Sequence, residues 1–166
     1  MADHSGARPA ANVDAMMTRA VITTSPETSV AEVASLLHRH HITGMPVLDD
    51  HQRVVGVVSE MDVVTRHGRL VADIMTREPH TVEEDVPLGE VADLLMTKRV
   101  RRLPVVRHGK LVGLISRTDL VTFFAHHQWV CAQCGATQRG LRPPVTCPGC
   151  EAPQSAFELE EAPYGM

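Results

Sequence analysis

The sequence predicts an α/β (α+β) protein made of two copies of one repeat, followed by a small domain that carries four cysteines. Each repeat contains a strand of the pattern apolar-Pro-Val, a turn, a second apolar strand with a glycine, and then Ser-x-x-Asp. Pro46 and Pro104 are 58 residues apart, whereas Asp62 and Asp119 are 57 residues apart. One residue is therefore missing from the turn of the second copy. A match at a fixed period indicates an internal duplication, which determines the predicted fold.

The first copy is predicted to run strand, helix, strand, strand, helix. Residues 20–24 form a short apolar stretch before a Ser-Pro turn, which is typical of a strand. Ser29 and Glu32 have the spacing of a helix capping box, and apolar residues at helical spacing follow them. The second helix is expected to begin at Ser59 and to end just before Gly68, its predicted C-terminal cap.

The second copy repeats this order. Its first strand is predicted at Thr81 and Val82, its hairpin turns at residues 108–109, and its closing helix begins at Ser116. One copy alone buries little core, so the two are expected to fold as one unit. All five aromatic residues lie after residue 122, so the repeats are expected to have an aliphatic core.

The repeated pattern resembles the cystathionine-β-synthase-type (CBS) domain, which usually occurs in tandem pairs called Bateman modules. The resemblance covers residues 13–125. It implies a β-α-β-β-α fold for each copy, two copies packed about a pseudo-twofold axis, and association into homodimers. It also implies an adenosine-type ligand (AMP, ADP, ATP, S-adenosylmethionine or a dinucleotide) and a regulatory sensor that acts on an unknown protein effector.

The two Ser-x-x-Asp motifs are the candidate ligand contacts. Each lies where a strand ends and a helix begins, and the free amides of a helix N-terminus favour an anion there. A carboxylate at such a position can accept hydrogen bonds from both hydroxyls of a ribose, as acidic residues do in dinucleotide-binding folds. The same motif is also a capping box that stabilises the helix by about 1 kcal/mol. Both interpretations stay open on the sequence alone.

The family resemblance implies two clefts, each drawing on both copies. The first cleft would consist of Thr23, Ile42, Gly44, Pro46, Ser116 and Asp119. The second would consist of Thr81, Val100, Arg102, Pro104, Ser59 and Asp62. Arg101 or Arg102 is a candidate phosphate ligand, because guanidinium groups bind phosphate in a bidentate manner. The second cleft is therefore expected to be the better phosphate site, although a solvated helix end is an equal alternative.

The four cysteines form two Cys-x-x-Cys turns, which predict one tetrahedral metal site. The ligands would be Cys131, Cys134, Cys147 and Cys150. The segment from Trp129 to Phe157 resembles the rubredoxin-like domain at the end of rubrerythrins, which implies iron or zinc. Glu151 occupies a position where rubredoxin turns usually carry glycine, and this departure favours zinc. The aromatic residues of this segment are candidates either for a protein contact or for its small core.

Composition and charge restrict the function classes. The chain has a net charge of −4, and the part from Trp129 onward has two arginines against four glutamates. Nucleic-acid binding needs cations, so no nucleic-acid partner is expected. No apolar run is long enough to span a membrane, and the N-terminus lacks the pattern of a secretory signal, so a cytoplasmic protein is expected.

The predicted domains follow from the repeat and from the change of composition. They are a flexible tail at 1–12, the first repeat at 13–67, the second at 68–125, a linker at 126–128, the metal ribbon at 129–160 and a tail at 161–166. Because no motif of a nucleotide hydrolase, serine hydrolase or metalloprotease occurs, the chain is interpreted as a regulatory binding module and not an enzyme. Two alternatives remain: an iron redox protein, and a structural oligomerisation module with degenerate clefts.

Overall fold

The computed structural model describes residues 10–163, which form two compact units. The hairpin unit comprises residues 17–84 and 102–115 and holds the paired strands of both repeats. The ribbon unit comprises the described residues up to 16, residues 85–101 and those from 116 onward. No helix within residues 10–163 is long and apolar enough to cross a membrane.

The hairpin unit contains two three-stranded sheets and three helices. Its first sheet has the order β1-β2-β3, and its second has the order β4-β5-β6. β1 and β2 pair in antiparallel fashion, whereas β4 and β5 are parallel. The elements are α1 (Val30–His40), β1 (Gly44–Leu48), β2 (Val54–Ser59), α2 (Glu60–Thr65), α3 (Val71–Ile74), β3 (Thr76–Arg77), β4 (Val82–Glu83), β5 (Arg102–Arg107) and β6 (Lys110–Ser116).

The ribbon unit contains two helices of the second repeat and the cysteine-bearing sheet. This sheet has the order β8-β7-β9 and is antiparallel throughout. The elements are a 3-10 helix (Val13–Ala15), α4 (Leu88–Thr97), α5 (Arg117–His126), β7 (His127–Cys131), β8 (Thr137–Gln138), a second 3-10 helix (Gln154–Ala156) and β9 (Phe157–Glu161).

The glycine in each repeat makes room for a methionine of the other repeat. A Cβ atom on Gly56 would lie 2.7 Å from the sulfur of Met75, and a Cβ on Gly113 would lie 2.4 Å from the sulfur of Met17. The segment after Met75 pairs with β2, and Thr18 pairs with Leu114 of β6. The two repeats thus exchange their leading segments reciprocally, which agrees with the expected pseudo-twofold arrangement.

The buried core follows the predicted apolar stripes. Val33 and Leu37 of α1 are buried in an aliphatic cluster with β1, β2 and α3, and Val91 and Leu95 of α4 are buried as well. The expectation of a purely aliphatic core is wrong at one position, because Phe123 of α5 is only 1% exposed.

The predicted strand at 20–24 is wrong. Thr18 pairs with Leu114, whereas Thr24 pairs with Val47. Because the segment passes from one partner to another, it forms two single backbone pairs and no continuous strand.

Two predicted element ends differ from the structure. α2 ends at Thr65, and its cap is Arg66 in an extended conformation, so Gly68 is not a helix cap. Arg66 instead donates to the carbonyl oxygens of Ile74 (2.9 Å) and Met75 (3.3 Å). The cap of α1 does begin as predicted, since the Ser29 hydroxyl accepts from the Glu32 amide at 3.1 Å.

The predicted linker at 126–128 does not exist as an unpaired segment. His126 is the last residue of α5, and β7 begins at His127. The predicted tails are ordered where they are described: Ala11 is buried, and its carbonyl accepts from the Leu88 amide at 2.8 Å. Residues 1–9 and 164–166 of those tails lie outside the described residues.

Candidate nucleotide and metal sites

The Ser-x-x-Asp motif of the first repeat forms a complete capping box. Oδ2 of Asp62 accepts from the amide and from the hydroxyl of Ser59, both at 2.8 Å, and the Ser59 hydroxyl accepts from the Asp62 amide at 3.3 Å. The other oxygen, Oδ1, forms an ion pair with Nε of Arg66 at 3.2 Å. Both carboxylate oxygens of Asp62 therefore have protein partners.

The motif of the second repeat has the same box but a different neighbour. Oδ2 of Asp119 accepts from the Ser116 amide at 2.7 Å and from the Ser116 hydroxyl at 2.8 Å. The position that corresponds to Arg66 is Phe123, whose side chain is buried. Within residues 10–163, Oδ1 of Asp119 has no hydrogen bond or ion pair, so it is the oxygen that could receive a ligand.

The two arginines proposed as phosphate ligands are in different situations. The Arg102 guanidinium donates to the Gly44 carbonyl at 3.1 Å and to the Thr43 hydroxyl. Gly44 and Arg102 occupy equivalent positions of the two repeats, so this contact joins the repeats across their axis. Arg101 is exposed, and its carbonyl accepts from the Arg117 amide, the first of α5, at 3.2 Å.

The remaining predicted residues belong to both compact units. Gly44 pairs with Ser59, so these two predicted residues are adjacent. The prolines of both repeats are buried, whereas Thr81 is exposed. The hairpin unit holds Thr23, Ile42, Gly44, Pro46, Ser59, Asp62, Thr81, Arg102 and Pro104, and the ribbon unit holds Val100, Arg101, Ser116 and Asp119.

A cavity of about 440 Å³ lies between α1 and α2. Ile42 is the only predicted contact residue among those that line it, and the others include His38, His41 and Glu60. This cavity is therefore distinct from the predicted clefts.

Sequence reasoning missed two side chains that distinguish the repeats. Arg66 lies four residues after Asp62, a spacing that predicts a helical ion pair, yet it was not considered. Thr24 is buried, and its hydroxyl has no hydrogen-bond partner among the described residues. The corresponding residue is Val82, so comparison of the two repeats would have singled out Thr24.

The four cysteines converge as predicted. Their sulfur atoms all lie within 4.8 Å of one another, with 3.7 Å between Cys131 and Cys150 and 3.5 Å between Cys134 and Cys147. A tetrahedral ion with metal–sulfur bonds of about 2.3 Å places its ligands about 3.8 Å apart. The donor set therefore fits a single ion of the zinc or iron type.

The two cysteine turns have the same backbone geometry. The Cys131 amide donates to the Ala136 carbonyl at 2.9 Å, and the Cys147 amide donates to the Ala152 carbonyl at 2.8 Å. The residue after the second cysteine of each turn has a positive φ, 75° at Gly135 and 59° at Glu151. A glutamate therefore occupies a left-handed position that favours glycine.

The thiols differ in acidity. The Gly149 amide donates to the Cys147 sulfur at 3.4 Å, and backbone donors of this kind lower the pKa of Cys147 to about 7. The Ala152 amide lowers the pKa of Cys150, but desolvation and the neighbouring thiols outweigh it and raise that pKa to about 12. A bound metal would hold all four groups as thiolates.

The aromatic residues of the ribbon form its core. Trp129 and Phe157 are buried against the first cysteine of each turn, and the Trp129 indole donates to the Gly140 carbonyl at 3.0 Å. The hypothesis that these two residues bind another protein is therefore wrong. Tyr164, the third candidate, lies outside the described residues.

Comparison with known families agrees with this geometry. The CBS domain model matches residues 13–67 and 71–126, which is more than half of the chain. The model of the rubredoxin-like domain of rubrerythrin matches residues 129–158. The chain belongs to the CBS-domain family, as a tandem CBS pair followed by a rubredoxin-like domain. The predicted family and fold class are confirmed.

Solved structures of CBS pairs are similar to this chain. CBSX2 of Arabidopsis thaliana, in complex with AMP, is 35% identical, with 67% of this chain and 93% of that chain covered and a TM-score of 0.65. A CBS pair in complex with 5′-methylthioadenosine and S-adenosyl-L-methionine is 28% identical, with 70% and 97% covered and a TM-score of 0.66.

Curated relatives match over part of their length. The inosine-5′-monophosphate dehydrogenase of Methanocaldococcus jannaschii is 32% identical over 111 residues, which are 65% of this chain and 22% of the dehydrogenase. The chloroplastic CBSX1 of Arabidopsis thaliana is 34% identical over 131 residues, 58% of this chain and 56% of that protein. The domains matched here are CBS and rubredoxin-like domains, and no catalytic domain is matched.

Proposed function

We propose that this protein is a regulatory module whose CBS pair binds an adenosine-type nucleotide and whose ribbon holds a metal ion. The observation that supports it best is the Ser116–Asp119 box, which holds one oxygen of Asp119 and leaves Oδ1 free to accept. Similar CBS pairs bind AMP, or S-adenosyl-L-methionine with 5′-methylthioadenosine.

In this proposal Oδ1 of Asp119 accepts hydrogen bonds from the ribose hydroxyls of the nucleotide. Arg101, exposed beside the first amide of α5, is the proposed phosphate ligand. The Asp62 box is the weaker ribose site, because a ligand there would have to replace the ion pair with Arg66. Arg102 supports the repeat interface, since its guanidinium is held by Thr43 and Gly44.

A melting-temperature screen of the metal-loaded chain tests nucleotide binding. A ligand that binds only the folded state at a concentration of 100 Kd stabilises it by about 2.7 kcal/mol. We expect at least one of AMP, ADP, ATP, S-adenosylmethionine and NAD to raise the Tm, with ribose 5-phosphate and GMP as controls. If no adenosine compound shifts the Tm, the alternative of a structural module with degenerate clefts is favoured.

We further propose that the metal is a structural zinc ion held by Cys131, Cys134, Cys147 and Cys150. Such an ion supplies folding energy to a domain with a small core, whereas iron would add one-electron transfer. Glu151 at a left-handed position supports zinc over a rubredoxin-type iron site. Free thiols are kept reduced in the cytoplasm, which is the proposed location.

Metal analysis of protein purified without added metal distinguishes the two ions. Zinc predicts a colourless protein with one zinc per chain. A red protein that bleaches with dithionite would contradict the zinc assignment and favour the redox alternative.

A homodimer is the second proposal, because equivalent helices of the two repeats have exposed apolar residues. Val64 of α2 is 74% exposed and Val121 of α5 is 68% exposed, and these positions correspond in the two repeats. Sedimentation of the parent chain should show a dimer. The double variant Val64→Asp/Val121→Asp should be a monomer, whereas Met96→Asp on α4 should not change the dimer. A monomeric parent chain at micromolar concentration would contradict this proposal.

A further inference from the structure

The ribbon completes the C-terminal turn of α5. The last four carbonyl groups of a helix have no partner within the helix. In α5 they all accept from residues that follow the helix: Phe123 from His127 (amide and Nδ1, the latter at 3.2 Å), Phe124 (3.1 Å) and Ala125 from the Arg139 guanidinium, and His126 from the Ala162 amide at 2.8 Å. The donors come from β7, from the loop after β8 and from the chain after β9.

Ring stacking strengthens the same contact. The His127 imidazole lies parallel to the buried Phe123 ring, with 4.6 Å between the ring centres. A cation at the C-terminal end of a helix is also favoured by the helix dipole, which adds to the hydrogen bonds of Arg139. The end of α5 is therefore built from side chains and amides of the ribbon.

A second contact joins the ribbon to the first turns of α4. The Arg142 side chain lies against Gly89, where a Cβ atom would be 2.5 Å from Nε of Arg142, and its guanidinium forms an ion pair with Asp93. Gly89 and Asp93 are four residues apart and so lie on one face of α4. Glycine in a helix interior lowers helix stability, and here its missing side chain makes room for Arg142.

These donors are in place only while the ribbon is folded. The buried residues that pack together in the ribbon are Trp129, Cys131, Cys147, Ala152 and Phe157, so two of its few core residues are themselves metal ligands. A domain of this kind depends on its metal for folding. Loss of the metal would therefore remove Arg139, Ala162 and Arg142 from the two helices.

We propose that the ribbon is a metal-dependent clamp on α4 and α5, so that metal occupancy controls the order of the last turn of α5. α5 begins next to Ser116 and carries Asp119, so the clamp links the metal site to the helix proposed to bind ribose. The clamp rests on the proposed metal site and is independent of nucleotide binding. By thermodynamic linkage, changes on the helix side of the contact must alter the apparent metal affinity.

Hydrogen exchange of the full chain tests the clamp, with metal-loaded protein compared with protein stripped by a chelator under reducing conditions. Loss of several charge-assisted and neutral hydrogen bonds should speed exchange at residues 123–127 about tenfold or more. Peptides from β7 should lose protection, which shows that stripping reached the ribbon, and peptides from α1 should not change. Unchanged exchange at the end of α5 after the ribbon loses protection would overturn the proposal, as would a chain that binds no metal.

Variants separate the clamp from general ribbon stability. In metal-loaded protein, Arg139→Ala should speed exchange at the end of α5 while one metal per chain is retained, and Lys98→Ala, an exposed cation at the end of α4, should not. Gly89→Ala lies outside the ribbon and favours helix in isolation, yet it should weaken metal affinity severalfold in competition with a chromogenic chelator. If Gly89→Ala leaves metal affinity unchanged and Arg139→Ala leaves α5 exchange unchanged, the ribbon is an independent appendage. Nucleotide titration of the same proteins is read separately, so failure of nucleotide binding does not affect this test.

Discussion

The two CBS repeats share one backbone frame but differ in the residue that follows their acidic cap by four positions. In the first repeat Arg66 takes the second oxygen of Asp62, whereas in the second repeat Phe123 turns into the core and leaves that oxygen of Asp119 free. The capping boxes agree within 0.1 Å in their Oδ2 contacts. The comparison teaches that the Ser-x-x-Asp motif secures the helix, while the residue one turn later decides whether the carboxylate can also bind a ligand.

The largest stability effect is expected from exchanging Thr24 and Val82, which occupy equivalent buried positions. An unpaired buried hydroxyl destabilises by about 1–3 kcal/mol. Val82→Thr should therefore lower the free energy of unfolding by about that amount. Thr24→Val should raise it by about 1 kcal/mol, because the methyl replaces a hydroxyl without a partner. Calorimetric melting of both variants measures this. A destabilised Thr24→Val would show that the hydroxyl has a role that its repeat counterpart lacks.

The two cysteine turns allow a similar exchange at smaller magnitude. Gly135 has φ 75°, and no atom lies within 4 Å of a Cβ added there, so Gly135→Ala tests backbone strain alone. A left-handed conformation costs a non-glycine residue about 1–2 kcal/mol. Gly135→Ala should lower the melting temperature of the metal-loaded ribbon, followed by Trp129 fluorescence, and Glu151→Gly should raise it. If both variants lower it, Glu151 makes a contribution that outweighs its backbone strain.

Removal of Arg66 should make the first repeat resemble the second. An exposed ion pair contributes about 0.2–1 kcal/mol, so Arg66→Met should raise nucleotide affinity at the Asp62 site by a factor of about two to five. Arg77→Met is the matched control, because Arg77 also donates to a carbonyl of α3 (Ala72, 3.0 Å) but does not contact Asp62. Calorimetric titration measures both. Equal affinities in the two variants would mean that Arg66 does not restrict the site.

The smallest effect is expected in the hairpin turns, where only the first repeat has a carboxylate cap. Hydrogen bonds from the Arg53 and His51 amides to Asp49 hold its pKa below the usual value. Because the folded pKa is lowered, Asp49 stabilises the fold above the unfolded pKa of about 3.9, and this contribution disappears as the pH falls through the folded value. The Tm difference between parent and Asp49→Asn should therefore shrink below about pH 4. Asp50→Asn, an exposed neighbour, should have little effect at any pH.

Much of the frame could be predicted from the sequence because the duplication and the cysteine spacing are local patterns. Two repeats, the α1 and α4 stripes, the capping boxes and the four-thiol cluster all follow from the spacing of residue types. These features need only the period of a helix, a strand or a metal turn.

The contacts between distant segments could not be predicted from local spacing. The exchange of Met17 and Met75 into glycines of the opposite repeat requires knowledge of strand partners, which is why the strand at 20–24 was predicted wrongly. The ribbon was assigned a linker because its charged contacts to α4 and α5 leave no periodic signal. Arg139 and Arg142 look like ordinary surface arginines until the helices they contact are known.

Calorimetric titration of the metal-loaded chain with the nucleotide that most raises its Tm tests the central claim most directly, with Asp119→Ala and Asp62→Ala measured beside the parent. Both substitutions remove the same capping box, so their effects on folding match and their effects on binding can be compared. The account predicts that Asp119→Ala abolishes the tighter binding event while Asp62→Ala preserves it. Retention of the tighter event in Asp119→Ala, or its loss only in Asp62→Ala, would contradict the assignment of the ribose to the second repeat.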